Sequence, residues 1–424
     1  MKTCSAVEAA SLVRDADTLA LPLGPGQPAA FLEALGERER FDNLTVFTAL
    51  LLGLYEVFAR PGVRLLSGFF GPVERGLLAA GHDVHFVPAD FRRFTAIGKR
   101  LRPRVMATAA ARADADGRFS LALHAGATVD ELVACGRDPD RLLVVEVNRQ
   151  LPRTLGVPPE HPHGFYEDDI DILVETDRPV FALPESEPTD IERAIADFVR
   201  PFVPDGATIQ SGIGGIPDAV VGLLAECDGG DYGIHSEMFT TGLMHLHRAG
   251  KVSNRKGLYD GVSVTTFALG TTELYAWLDE QADVRFLPVE AVNTPSYIAE
   301  NRRFVSINGA LSVDLAGQIV ADTVGARQYS GIGGHEDFVA GAAFSEHGTS
   351  LVCLPSTVEI DGSRVSRIAA DVPAGTMVTT PRHQVDTVIT EYGAAELAGL
   401  TVDERRDALI SIAHPDFRDA LSSR

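Results

Sequence analysis

The chain has 424 residues, with 45% apolar and 23% charged, a composition that excludes extensive disorder and, at about 150 residues per domain, a single small module. Lys and Arg total 37 against 59 Asp and Glu, a formal charge of −22, which argues against nucleic acid or an anionic membrane as a general partner. No apolar run approaches the ~20 residues that span a bilayer, and the first residues lack the pattern of a signal peptide.

Taken in chain order, Thr18–Gly24 reads as a short apolar strand running into a turn, with Pro28 before a helix over Ala29–Leu35. His85-Phe86-Val87-Pro88-Ala89-Asp90 is a further segment with a counterpart later in the chain. Asp114-Ala115-Asp116-Gly117 opens like a calcium loop, but the twelfth position is Ala125 where a closing Glu is required, so a solvated turn is the better reading. Leu142–Val147 and Asp171–Val174 are further strands. Leu183–Asp190 is polar, carries two prolines, and reads as a linker; a helix capped at Thr189 or Asp190 restarts over Ile191–Phe198.

Beyond the linker the pattern repeats. Thr208–Gly214 lines up with Thr18–Gly24, Pro217 with Pro28, and the helix Ala219–Leu224 with Ala29–Leu35. Arg285–Glu290 matches His85–Asp90, and Thr390-Glu391 after the strand Asp386–Ile389 matches Val174-Glu175. Ordered matches in both halves predict an α/β protein of two tandem related open α/β domains, over residues 1–186 and 190–424, with a C-terminal helical tail at Thr401–Ser423. Such a pair is expected to leave a cleft, and one copy alone need keep the chemistry.

The halves differ at one chemically useful position. Gly233–Phe239 corresponds to Leu44–Leu50, and Glu237 stands where the first half has Ala49. The C-terminal end of a strand in an open α/β sheet is where ligands bind. An exposed or helix-capping Glu is the bland alternative, at even odds from position alone. Two glycine turns accompany it. Gly212-Ile213-Gly214-Gly215-Ile216-Pro217 is neither the dinucleotide fingerprint nor a phosphate loop, and a tight packing turn explains it more readily than a ligand. Ser330-Gly331-Ile332-Gly333-Gly334-His335 can present successive N–H groups to an anion, where losing one such donor to an oxyanion costs about 3 to 4 kcal/mol, and a plain loop with positive φ at several positions is an equal reading. His235, His335 and His347 lack metal-ligand spacing. Cys4, Cys135, Cys227 and Cys353 form no CxxC pair, so no metal site is expected and a reducing cytoplasm is the simplest setting.

With these residues in view the chain resembles the acetyl-CoA hydrolase/transferase group, specifically CoA-transferases of the butyryl-CoA:acetate and 4-hydroxybutyrate type. The resemblance runs through Gly71–Arg75, Val147–Pro152, Gly212–Ala219, His235–Phe239, Ile307–Leu311, Arg327–Gly331, Thr390–Gly393 and Ile412–Arg418. It implies paired domains of the CoA-transferase type, with Glu237 as nucleophile, the Gly331 amide and Asn293 as oxyanion donors, and Gly331, Gly333 and Gly334 lining the thioester end of CoA. Gly212, Gly214 and Gly215 are taken as further ligand-binding positions. The implied substrates are an acyl-CoA and a free carboxylic acid, with CoA as substrate and no resident cofactor, and with a homodimer or larger homo-oligomer as assembly. An acyl-CoA hydrolase using the same Glu is the runner-up, and a non-catalytic acyl-CoA-binding protein is the alternative from another class. Two departures from the family pattern are Gly334-His335-Glu336-Asp337, where relatives often have Gly-Gln-x-Asp, and Gly309 in place of a commoner serine.

Overall fold

The computed structural model describes residues 1–212 and 214–423, so Ile213, inside the first glycine turn, and Arg424 lie outside the described residues. The chain forms two compact units. The first comprises Met1–Pro184 and Val264–Val292, the second Glu185–Ser263 and Asn293–Arg424.

The first unit is built on strands β1 (Lys2–Thr3), β2 (Ala16–Ala20), β3 (Asn43–Thr48), β4 (Val63–Ser67), β5 (Val84–Phe86), β6 (Val105–Ala110), β7 (Leu142–Asn148) and β8 (Ile172–Thr176). Among the described residues they form one sheet in the order β1-β8-β7-β6-β2-β3-β4-β5, and every neighbouring pair is parallel. Helices α1 (Ala29–Gly36) and α2 (Pro72–Ala79) belong to this unit. Parallel strands covered on both faces read as unbroken apolar runs, which is why β6 is buried at all six positions. Leu19, Val46, Leu65, Val105 and Val144 pack with Phe31, Leu32 and Leu35 of α1 in its core.

In the second unit β9 (Thr208–Ser211), β10 (Gly233–Ile234), β11 (Phe304–Gly309), β12 (Thr349–Cys353), β13 (Thr387–Thr390) and β14 (Gly393–Glu396) form a sheet in the order β10-β9-β11-β12-β13-β14. All pairs are parallel except the closing hairpin β13-β14. The order β10-β9-β11-β12-β13 repeats β3-β2-β6-β7-β8 of the first unit, so the repeat seen in sequence is a repeat of sheet topology. The helices are α3 (Asp190–Val199), α4 (Gly215–Glu226), α5 (Thr241–Arg248), α6 (Pro295–Ala299), α7 (His335–Phe344), α8 (Val402–Ser411) and α9 (Pro415–Ser422). Thr189 and Glu192 form a reciprocal capping box that starts α3 directly after the linker. The tail helices α8 and α9 place Leu409 and Leu421 in an apolar cluster with Val313, Val352 and Val388.

The grouping differs from a single cut near residue 188, because 264–292 returns to the first unit. Its backbone is bonded there: Ala125 N–H donates to Thr266 O at 2.6 Å, Ala268 N–H to Leu123 O at 2.8 Å, and Phe286 N–H to Leu155 O at 2.8 Å. No helix among the described residues is long and apolar enough to cross a membrane.

Candidate active site

β10 ends at Ile234, and the next three residues are each held by a different element of the second unit. His235 is buried edge-on against the stacked rings of Phe304 and Phe338, and Asn301 Nδ2 lies 3.2 Å from its Nδ1. Ser236 Oγ donates to Ser211 O at 3.0 Å and accepts from Ser211 N–H at 3.3 Å, which ties the segment to the end of β9. Glu237 follows. Thr240 then caps α5 through Leu243 N–H and ends the extended run. Glu237 therefore stands just past the C-terminal end of a parallel strand, on β10, which occupies the place that β3, leading into Ala49, has in the first unit.

Asn293 Nδ2 donates to Glu237 Oε2 at 2.6 Å, and Gly334 N–H donates to the same carboxylate. Asn293 closes the helical turn Val289–Asn293 immediately before α6, and Gly334 stands immediately before α7. Those two helices are in close contact: a Cβ on Gly341 of α7 would come within 2.5 Å of Ile298 on α6. Helix packing thus sets the spacing of the two donors. Gly334 must be glycine, because a Cβ there would fall 2.0 Å from Glu237 Oε2 and 2.4 Å from Asn293 Nδ2. The turn before it uses Gly333 at φ 58°, a left-handed conformation that favours glycine.

Glu237 is half-buried by exposed surface, yet its carboxyl is sunk deeply enough that burial pushes its pKa up to about 7. The hydrogen bonds from Asn293 and Gly334 favour the ionised form and pull the other way. The result is a carboxyl poised near neutrality and held by neutral donors. A strongly perturbed group at a strand end is a mark of a functional site.

Asp337, in the first turn of α7 and 1% exposed, carries no role in the sequence reading. Its Oδ2 accepts from Asn293 Nδ2 at 3.3 Å. An acid three residues past Gly334 is visible in the sequence, but which way it points depends on where α7 begins.

The other expected residues fall as follows. Gly331 is buried three residues before Gly334, and its carbonyl accepts from Ser330 Oγ at 3.2 Å. The amide that reaches Glu237 is that of Gly334. Gly212 faces open space, and Gly214 has φ 121°, which requires glycine. Gly215 opens α4 in acidic surroundings. A Cβ on it would lie 1.6 Å from Glu192 Oε1, and Asp218 is pushed up to about 6 by burial, with Glu185 and Glu192 adding to the rise. Carboxylates at a helix N-terminus already use the positive end that a phosphate would need. Of the two departures from the family pattern, His335 bonds to Thr380 at 2.9 Å and burial lowers its pKa to about 4, leaving the ring neutral at pH 7. A Cβ at Gly309 would meet open space, so serine would fit there.

Comparison with known proteins places the chain in a family. A family model described as the acetyl-CoA hydrolase/transferase C-terminal domain matches residues 270–424. The chain is 35% identical to succinyl-CoA:cyclohexane-1-carboxylate CoA transferase of Geobacter metallireducens, over 99% of its own length and 94% of that relative. It is 42% identical to 4-hydroxybutyrate coenzyme A transferase of Clostridium kluyveri, over 66% of the chain and 64% of the relative. More distant similarity extends to an acetyl-CoA hydrolase of Yarrowia lipolytica, 28% identical over 50% of the chain and 39% of that protein. Among solved structures, RipA from Yersinia pestis superposes with a TM-score of 0.90 at 32% identity, covering 100% of this chain and 96% of that one.

Proposed function

Since the chain belongs to the acetyl-CoA hydrolase/transferase family, and is an enzyme of that family, we propose that it transfers CoA between short-chain carboxylic acids with Glu237 as the covalent nucleophile. The observation that supports this most is the Glu237 carboxyl just past β10, held by Asn293 and Gly334.

In the proposed cycle ionised Glu237 attacks the thioester carbonyl of an acyl-CoA. The C–S bond breaks, leaving an acyl-glutamyl anhydride and a CoA thiolate. The thiolate attacks the glutamyl carbonyl, the first acid departs as its carboxylate, and CoA remains on Glu237 as a thioester. A second carboxylate attacks that thioester to give a new anhydride and free thiolate. Attack of the thiolate on the new acyl carbonyl then forms the product acyl-CoA and returns Glu237 as carboxylate. Bonds and charge balance without a metal or redox group. Asn293 Nδ2 and the Gly331 amide are the proposed donors to the developing oxyanion, while Gly334 N–H holds the nucleophile. A carboxylate is a weak nucleophile, so binding of the remote part of CoA has to hold the thioester against it, and water has to be excluded. Gly331, Gly333 and Gly334 line the thioester end in this reading. The acidic turn at Gly212, Gly214 and Gly215 suits an uncharged stretch of the ligand better than a phosphate.

Hydrolysis is the second reading, favoured by the acetyl-CoA hydrolase among the relatives; water would then take the place of the second acid. The two are separated by following acetyl-CoA loss with and without propionate, butyrate, succinate or 4-hydroxybutyrate. Transfer predicts loss that requires an added acid and yields its CoA ester. Equal loss without any acid contradicts it.

A further inference from the structure

The amide of Asn293 has both hydrogens engaged by carboxylates, Glu237 Oε2 at 2.6 Å and Asp337 Oδ2 at 3.3 Å. Its Oδ1 is buried and makes no hydrogen bond among the described residues. That pattern fixes the orientation of the amide, because turning it over would set its carbonyl oxygen against two acceptors. The terminal torsion of asparagine is otherwise broad, so the amide plane has to be held from outside.

Resting on the reading of Glu237 as nucleophile, we propose that Asp337 is a positioning residue that keeps one Asn293 N–H anchored so that the other stays aimed at the reaction centre. During attack the Glu237 oxygen is drawn into the anhydride and negative charge appears on the former thioester oxygen. The Asn293 N–H that faced Glu237 must then serve that oxygen without the amide turning over. Asp337 lies in the first turn of the ten-residue helix α7, whose N-terminus favours negative charge. A merely structural acid in a first helical turn would alter melting temperature and leave turnover alone; a residue acting through Asn293 would lose its effect once Asn293 is gone.

The test compares Asp337→Ala and Asp337→Asn in the full chain, each alone and combined with Asn293→Ala. Asp337→Ala is expected to lower kcat for CoA transfer about 100-fold, the scale of a lost oxyanion donor, with KM for acyl-CoA changed less than about threefold. Asp337→Asn keeps a neutral acceptor for the same hydrogen and should restore about tenfold of that loss. In the Asn293→Ala background Asp337→Ala should cost less than about twofold, the non-additivity of two residues that act as one unit. Additive losses overturn the proposal. If Asp337→Ala does not fold, the isosteric Asp337→Asn decides, and an unchanged kcat overturns the proposal. Glu237→Ala is measured alongside: retained transfer there removes the nucleophile and this proposal together, whereas abolished transfer with unaffected Asp337 variants removes this proposal alone.

Discussion

The proton on Glu237 leaves near pH 7, because burial costs the carboxylate its hydration and the Asn293 and Gly334 donors only partly replace it. Two consequences have opposite signs. For activity, the nucleophile is the ionised form, so kcat/KM for acyl-CoA should rise about tenfold per pH unit below about 7 and level off above it. For stability, the folded carboxyl keeps its proton up to about 7 while the unfolded one releases it near 4.3. Between those values the native state binds more protons, so stability falls as pH rises through that window. Glu237→Gln keeps the acceptor for both donors without the charge. It should abolish transfer yet melt higher than the parent at pH 8, by roughly 1–3 kcal/mol, with the gap closing toward pH 4. Thermal melts at both pH values check this; a variant less stable at pH 8, or a flat rate profile from pH 5 to 8, would contradict it. Glu237 was legible in the sequence because the repeat put Ala49 opposite it. Gly334 was legible as a ligand-lining glycine, but neither its amide as the donor to Glu237 nor the part of Asp337 was, because which amide of a glycine turn faces a group is decided by one or two dihedral angles such as the left-handed Gly333.

At the scale of elements, the site is assembled by α6 and α7. α7 begins directly after Gly334 and α6 two residues after Asn293, so the packing of the two helices constrains the spacing of the two donors to Glu237. Gly341 is where that packing is set, because its missing Cβ lets Ile298 approach. Gly341→Ala inserts a methyl 2.5 Å from Ile298. Overpacking of this kind costs about 1–3 kcal/mol, partly offset by the better helix propensity of alanine. A folded Gly341→Ala protein is expected to lose transfer activity about tenfold or more, a misplacement effect reaching chemistry from a residue that does not touch it. Normal kcat beside a lowered melting temperature would detach the helix contact from the site. The strands β7, β8 and β13 were legible as apolar β-branched runs, and α3 from its capping pattern. The two-residue strand β10 was harder to bound, since its end is fixed by Ser236 and Asn254 side chains: Asn254 Oδ1 accepts from Ile234 N–H at 3.0 Å.

Across the whole molecule, the same five-strand parallel order occurs in both units, and the carboxylate occurs at the equivalent strand end of the second. The duplication could be read from ordered matches along the chain, because each copy repeats the same strand-turn-helix grammar. The return of 264–292 to the first unit could not, because it rests on backbone bonds such as Leu183 N–H to Gly270 O at 2.8 Å, and backbone groups carry no sequence signature. A peptide map of the entire chain after incubation with acyl-CoA and hydroxylamine therefore tests the central claim most directly. The account predicts a hydroxamate on the peptide containing Glu237 and none on the peptide containing Ala49. An unmodified Glu237 in protein that is still turning over, or a label on a different carboxylate, would contradict it.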